Sequence, residues 1–87
     1  MSYRVLIEKS AQKSLKKIPE PEKNKIIDSI VKLSETPRPV GAKKLTGRKA
    51  WRIRIGNYRV IYEIYDEKLV VLVVAAGNRK QIYKIMR

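Results

Sequence analysis

Four arginines and one tyrosine are the residues of this chain best suited to chemistry on an anion. Arg52 and Arg54 alternate with Ile53 and Ile55, Arg59 follows the pair Gly56-Asn57, and Arg79 and Tyr83 stand near the C-terminal end. A planar guanidinium grips a phosphate through two parallel hydrogen bonds and stays protonated in proteins. The arginines therefore suit stabilisation of charge developing on phosphorus rather than proton transfer. Tyr83 adds a ring that could stack on a base and a hydroxyl that could take part in moving a proton. Glu63 shares the phase of Arg59; it is a candidate general base, or a carboxylate that neutralises one arginine. The chain has neither histidine nor cysteine. Their absence removes the usual proton shuttle near neutral pH, thiolate chemistry, disulfides and the commonest ligands of zinc and haem, so no metal and no cofactor is expected.

Residues 51–62 must position the first three arginines. Trp or Ile alternates with Arg, and Tyr, Val and Tyr alternate after Gly56-Asn57, which predicts a β-hairpin closed by a two-residue loop. In that register Ile55 faces Tyr58, Arg54 faces Arg59, Ile53 faces Val60 and Arg52 faces Ile61. Trp51, Ile53, Ile55, Tyr58, Val60 and Tyr62 then line the opposite face, and their phase assigns the three aromatic residues to the core rather than to base stacking. Like charges directly opposite one another cost about 0.2–1 kcal/mol. A bound anion would relieve that cost.

The remaining elements follow from periodicity and breakers. Residues 3–8 read as a short opening strand. Ser10 can cap a helix with Ala11, Leu15 and Ile18 on one stripe, ended by Ile18-Pro19-Glu20-Pro21. Pro21 suits the first turn of a second helix with Ile26, Ile27, Ile30, Val31 and Leu33 on its apolar face. Thr36 to Lys49 reads as a loop, Tyr65-Asp66-Glu67-Lys68 as a turn, and residues 69–76 as a strand buried on both faces, between the 58–65 strand and the N-terminal one. Residues 80–87 read as a short polar tail. The predicted order is β-α-α-β-β-β, an α+β fold with a helical hairpin on one face of a four-stranded, mainly antiparallel sheet, forming one domain over residues 1–87.

A net charge of +13 on 87 residues implies a polyanionic partner, with nucleic acid the first candidate. Lysine dominates the first half and arginine the second, which places the binding surface in the second half. Lys43, Lys44, Arg48, Lys49 and Lys80 extend that positive surface. Lys13, Lys16, Lys17, Lys23, Lys25 and Lys32 could form a second nucleic-acid surface, although charge on a helix face more often only solvates it. No apolar run approaches a membrane span. A cytoplasmic location without membrane partners is expected.

The chain resembles toxins of the RelE/ParE superfamily of type II toxin–antitoxin systems, from Tyr3 to about Tyr83. The resemblance rests on Lys44-Leu45-Thr46-Gly47, on residues 51–62, on Asp66-Glu67-Lys68 and on Gly77-Asn78-Arg79. It implies one of two activities. RelE-like members cleave mRNA in the ribosomal decoding site without a metal, using the RNA 2′-hydroxyl as nucleophile, a set of basic residues and a tyrosine. ParE-like members inhibit DNA gyrase and lack that basic set. By resemblance Arg52, Arg54, Arg59, Arg79 and Tyr83 fall on or near the RelE-like catalytic positions, with arginine where the family carries two lysines on the first hairpin strand. The expectation is an mRNA endoribonuclease that acts on the ribosome, is monomeric when free and forms a hetero-oligomer with a RelB-like antitoxin. The alternatives are a gyrase inhibitor and an inactive RNA-binding relative.

Overall fold

The computed structural model describes residues 2–86. In chain order they form β1 (Arg4–Ile7), α1 (Lys9–Lys16), α2 (Glu22–Lys32), β2 (Lys43–Lys44), β3 (Ala50–Ile55), β4 (Tyr58–Tyr65), a single 3-10 turn (Asp66–Lys68), β5 (Val70–Asn78) and α3 (Arg79–Met86). The sheet runs β1-β5-β4-β3-β2. Every neighbouring pair is antiparallel except β1 and β5, which are parallel. The α+β class, the helical hairpin and the interior position of the apolar strand agree with the sequence reading.

The β3–β4 register is also the one read from alternation, with Arg54 opposite Arg59 and Arg52 opposite Ile61. Gly56, first of the two loop residues, has a φ of 59°. Two-residue hairpin loops need that left-handed conformation at their first position, and glycine adopts it without a Cβ clash.

Two elements differ from the sequence reading. The loop after α2 contributes a fifth strand, because Lys43 and Lys44 pair with Arg52 and Trp51; two residues are too few to leave a periodic signature. Residues 79–86 form a helix rather than a polar tail. Its first turn is closed reciprocally: the Asn78 N–H donates to Gln81 Oε1 at 3.0 Å, and the Gln81 N–H donates to Asn78 Oδ1 at 2.9 Å. This is a capping box, which satisfies two backbone donors at once. It also explains Gly77, since a Cβ there would lie 2.7 Å from Gln81 Oε1.

Smaller corrections concern the helices. α1 starts after Glu8 with no side-chain cap, and Ser10 sits inside it rather than before it. On α2, Ile26 and Ile30 are buried, as is Leu33 at its end, whereas Ile27 and Val31 are exposed, so the buried stripe is narrower than the apolar residues suggest.

The main core lies between the helical hairpin and one sheet face. Ala11, Leu15, Ile18, Ile26, Ile30 and Leu33 meet Ile53, Val60, Tyr62, Val71, Val73 and Ala76 there, with Trp51, Ile55 and Tyr58 half-buried at its margin. Tyr62 is fully buried; its hydroxyl donates to the Pro37 carbonyl at 2.8 Å, and burial pushes its pKa up to about 12. The segment it holds is fixed again by Arg38. That guanidinium pairs with Asp66 at 2.8 Å and lies 5.4 Å from the centre of the Trp51 ring. Tyr3 also donates to Asp66 at 2.6 Å, and together the Arg38 guanidinium and the Tyr3 hydroxyl hold the Asp66 carboxyl below its usual range.

A smaller cluster of Ala50, Ile61, Ala75 and Ile82 lies on the other face, under α3. A bulge makes it possible. Ile61 pairs with Ala75 but Tyr62 with Val73, so Val74 is an extra residue and the inward phase of β5 changes there.

Replacing Asn78 by Ala removes one half of the capping box. It should destabilise the protein by about 1 kcal/mol, read as a lowered denaturation midpoint with loss of helical signal before the main transition; an unchanged midpoint would show that α3 does not depend on its cap.

Candidate active site

The face opposite the main core carries most of the basic residues singled out from the sequence. Along β3, Arg52 and Arg54 point to this face. Arg54 lies directly opposite Arg59, and Arg52 lies directly opposite Lys43 on β2. Two like-charge cross-strand pairs thus sit side by side. On the other side of β4, Gly77 lies opposite Arg59 and Ala75 opposite Ile61. These small residues leave a depression beside the arginines, which α3 closes from above.

The result is a cavity of about 790 Å³. Its floor is apolar, made by Leu45, Ile61 and Ile82, and its walls are Arg52, Arg59, Arg79, Lys80, Tyr83 and Lys84. Five cations and no carboxylate surround the space. The spacing on α3 explains the second wall: Arg79 and Tyr83, and Lys80 and Lys84, are each four residues apart and so lie one turn above one another. Tyr83 is 69% exposed, which leaves its ring and hydroxyl open to a ligand.

The electrostatics register the crowding. Desolvation, followed by the charges of Arg54, Arg52 and Arg79, holds the Arg59 guanidinium below the usual arginine range. The Nε of Arg52 is buried with no hydrogen-bond partner. A buried donor beside unneutralised cations is a site short of an acceptor and of negative charge.

The structure therefore brings together Arg52, Arg59, Arg79, Lys80 and Tyr83 of the residues singled out from sequence. Arg54 acts on Arg59 through its charge but is exposed outside the cavity wall, bordering a separate hollow with Leu33, Pro39 and Val40. Lys44, Arg48 and Lys49 line a neighbouring hollow of about 540 Å³ that shares Leu45 with the main cavity. Glu63 is not with the arginines. It faces a different hollow with Glu8, Arg48 and Lys49, and its carboxylate accepts a 2.5 Å hydrogen bond from Tyr65, which raises the Tyr65 pKa. Glu63 shares their face but lies four residues along the strand from Arg59, too far toward the other end to join them.

Sequence reasoning missed Lys84 and the apolar floor. The signal for Lys84, and for Ile82 of the floor, was the Asn78-x-x-Gln81 pattern, which announces a helix and thereby places Ile82 inward and Lys84 above Lys80. Among the described residues, no group of three or more His, Cys, Asp or Glu could hold a metal ion, and no helix is long and apolar enough to cross a membrane.

Residues 5–83 match the family described as the ParE toxin of the type II toxin–antitoxin system parDE. The chain is 30% identical over 84 residues to the mRNA interferase toxin RelE of Escherichia coli K12, covering 93% of this chain and 87% of the relative. Among solved structures, a chain of the archaeal RelE–RelB complex from Pyrococcus horikoshii superposes with a TM-score of 0.81 at 29% identity, covering 91% of this chain and 97% of that one. A chain of the RelBE2 toxin–antitoxin complex of Mycobacterium tuberculosis gives 0.81 at 26% identity, covering 91% and 93%. The chain belongs to the RelE/ParE superfamily and is a RelE-like toxin of a type II toxin–antitoxin system.

Relief of like-charge repulsion gives a direct check on the cluster. Arg54→Thr should raise the stability of the free protein by about 0.2–1 kcal/mol, and the gain should shrink as sulfate or polyphosphate is added, because the wild type profits more from the anion. A variant less stable than wild type without anion would contradict this electrostatic reading.

Proposed function

We propose that this toxin is a metal-independent endoribonuclease that cuts mRNA engaged on the ribosome. The observation that carries the proposal is the acid-free cavity of five cations with an exposed tyrosine at its rim. Such a site fits a phosphodiester and holds no carboxylate to anchor a divalent ion. Relatives that match over nearly the whole chain are named mRNA interferases, which supports the same reaction.

The step follows from the residues. The 2′-oxygen of the nucleotide before the scissile bond attacks phosphorus; the bond from phosphorus to the 2′-oxygen forms as the bond to the 5′-oxygen breaks. The 2′-hydroxyl proton is lost, and the departing 5′-oxygen gains one. The products are a 2′,3′-cyclic phosphate, which water can open to a 3′-phosphate, and a 5′-hydroxyl. Arg59 and Arg79 would stabilise the extra negative charge on the phosphoryl oxygens, from positions fixed by the sheet and by the capped first turn of α3. Arg52 would seat the backbone through its guanidinium, Arg54 would add charge from the rim, and Tyr83 would stack on or orient the flanking nucleotide. Arginine does not release its proton, and the wall has neither histidine nor carboxylate. Proton transfer therefore falls to Tyr83, Lys80, Lys84 or water. Lys43, Lys44, Arg48 and Lys49 would continue the phosphate track past Leu45.

The solved relatives include toxin–antitoxin complexes, so the same reading assigns this chain a RelB-like antitoxin partner, with the free toxin a monomer in the cytoplasm. The matching family is named for ParE, which favours one second reading, a gyrase inhibitor without chemistry. The cavity is the discriminating feature, because inhibition by docking alone has no use for a preorganised phosphate site.

On translating ribosomes the wild type should cut mRNA, and Arg79→Ala should cut about 100-fold more slowly. Equal cutting by both would remove Arg79 from the site; intact mRNA together with loss of gyrase supercoiling would select the second reading.

A further inference from the structure

Glu63 is a carboxylate on the cationic face of the sheet to which the proposed reaction gives no role. It lies four residues along β4 from Arg59, about 13 Å at strand spacing. Its cross-strand neighbours are Ala50 and Leu72, so no cation stands directly opposite it, and among the described residues it forms no ion pair. The Tyr65 hydroxyl donates to it at 2.5 Å and fixes its position. A half-buried carboxylate held by a neutral hydroxyl rather than by a cation keeps acceptor capacity for a ligand.

The hollow that Glu63 faces is continuous with the cavity. Leu45 belongs to both the cavity and the hollow of the basic loop, and Arg48 and Lys49 belong to both that loop and the Glu63 hollow. The path therefore runs along the sheet from guanidiniums to a carboxylate. Its last hollow holds about 410 Å³ over a floor of Ala50, Val74 and Ala75, where short apolar side chains suit the face of a flat ring. The bulge turns Val74 to this face beside Ala75. The rim carries both signs, Glu8 and Glu63 with Arg48 and Lys49. That mixture selects among ligands. A cationic side chain would meet Arg48 and Lys49, and a bare phosphate would meet two carboxylates. A nucleotide satisfies both, with its phosphate toward the cations and the polar edge of its base toward Glu63.

We propose that this hollow is a base-reading subsite in which Glu63 selects guanine in the strand that the cavity holds. The inference rests on the reading of the cavity as an RNA site. A carboxylate accepts two parallel hydrogen bonds, one on each oxygen. Of the four bases, guanine alone offers two adjacent donors, N1–H and the N2 amine, on a Watson–Crick edge that is open in single-stranded RNA. Adenine and cytosine set an amine beside a lone pair that repels a carboxylate, and uracil sets its N–H between two carbonyl oxygens. The separation from Arg59 places the base that is read further along the strand than the nucleotides at the scissile bond. Glu63 is then the specificity-determining residue, and Tyr65 is a positioning residue that aims it.

The test is binding of the full chain to short single-stranded oligonucleotides carrying 2′-O-methyl groups throughout, which have no 2′-hydroxyl to attack with, followed by fluorescence anisotropy at one ionic strength. Wild type should bind hexauridylate with one guanosine substituted about 10-fold more tightly than hexauridylate itself. Substituted 7-deazaguanosine, which keeps N1–H and the N2 amine, should match guanosine; inosine, which lacks the amine, should fall between. In E63Q the guanosine preference should shrink to below about 2-fold, whereas E22Q, the same loss of charge on α2, should keep it. A wild type that binds all the oligonucleotides equally or not at all overturns the proposal. So does a preference lost with 7-deazaguanosine, one that survives in E63Q, or one that disappears equally in E22Q. Cutting of ribosome-bound mRNA is read separately. A preference lost in E63Q alongside uncut mRNA supports the subsite and overturns the reaction, and cutting by a wild type without the preference overturns the subsite alone.

Discussion

The register of the β3–β4 hairpin is the constraint on which the rest of the molecule depends. Ile53, Val60 and Tyr62 must face the helices to close the core, and strict alternation then forces Arg52, Arg54 and Arg59 onto the other face. A slip of one residue would bury three guanidiniums and expose the core, a penalty far larger than the repulsion between Arg54 and Arg59. The repulsion is therefore tolerated. The favourable burial on one face holds an unfavourable charge arrangement on the other.

That division gives the site its rigidity. The Arg38–Asp66 pair, the Tyr3 hydroxyl and the buried Tyr62 hydroxyl tie the loop after α2 to the ends of the sheet, so the strands bearing the arginines cannot easily splay to relieve their mutual repulsion. The second wall comes from α3, whose start is set by the Asn78–Gln81 capping box and whose seat is the small cluster around Ile61 and Ile82. Gly77 serves both walls at once. It gives Gln81 room to cap and leaves space opposite Arg59. Preorganised charge of this kind costs nothing to assemble when a substrate arrives.

The sequence disclosed those parts of the structure that rest on local alternation. The hairpin register, the arginine face and the interior position of β5 follow from period-2 patterning and unbroken apolarity, whereas burial on both faces holds only at Ala75–Gly77, since Val70, Leu72 and Val74 are half-buried. What remained hidden had other physical origins. β2 is two residues held by tertiary pairing with Arg52 and Trp51, below any periodic signal. The bulge at Val74 is invisible because every neighbour is apolar, so a change of phase leaves no mark. α3 read as a tail because Arg79, Lys80 and Lys84 look solvated until the capping box is recognised. Glu63 has the right phase but the wrong place: alternation reports the face of a strand and not how far along it two residues can meet. Arg54 shows the same limit, since it faces Arg59 directly yet stands outside the cavity.

The claim at the centre is that a rigid set of guanidiniums promotes attack by the RNA's own 2′-oxygen. It is tested most directly by removing that oxygen from a single nucleotide. In ribosome-bound mRNA with chelator present, a 2′-deoxy substitution immediately before the scissile phosphate should abolish cutting at that bond, while the unmodified message yields a 2′,3′-cyclic phosphate and a 5′-hydroxyl. Cleavage of the deoxy-substituted bond, or cleavage that stops when divalent ions are chelated, would contradict it.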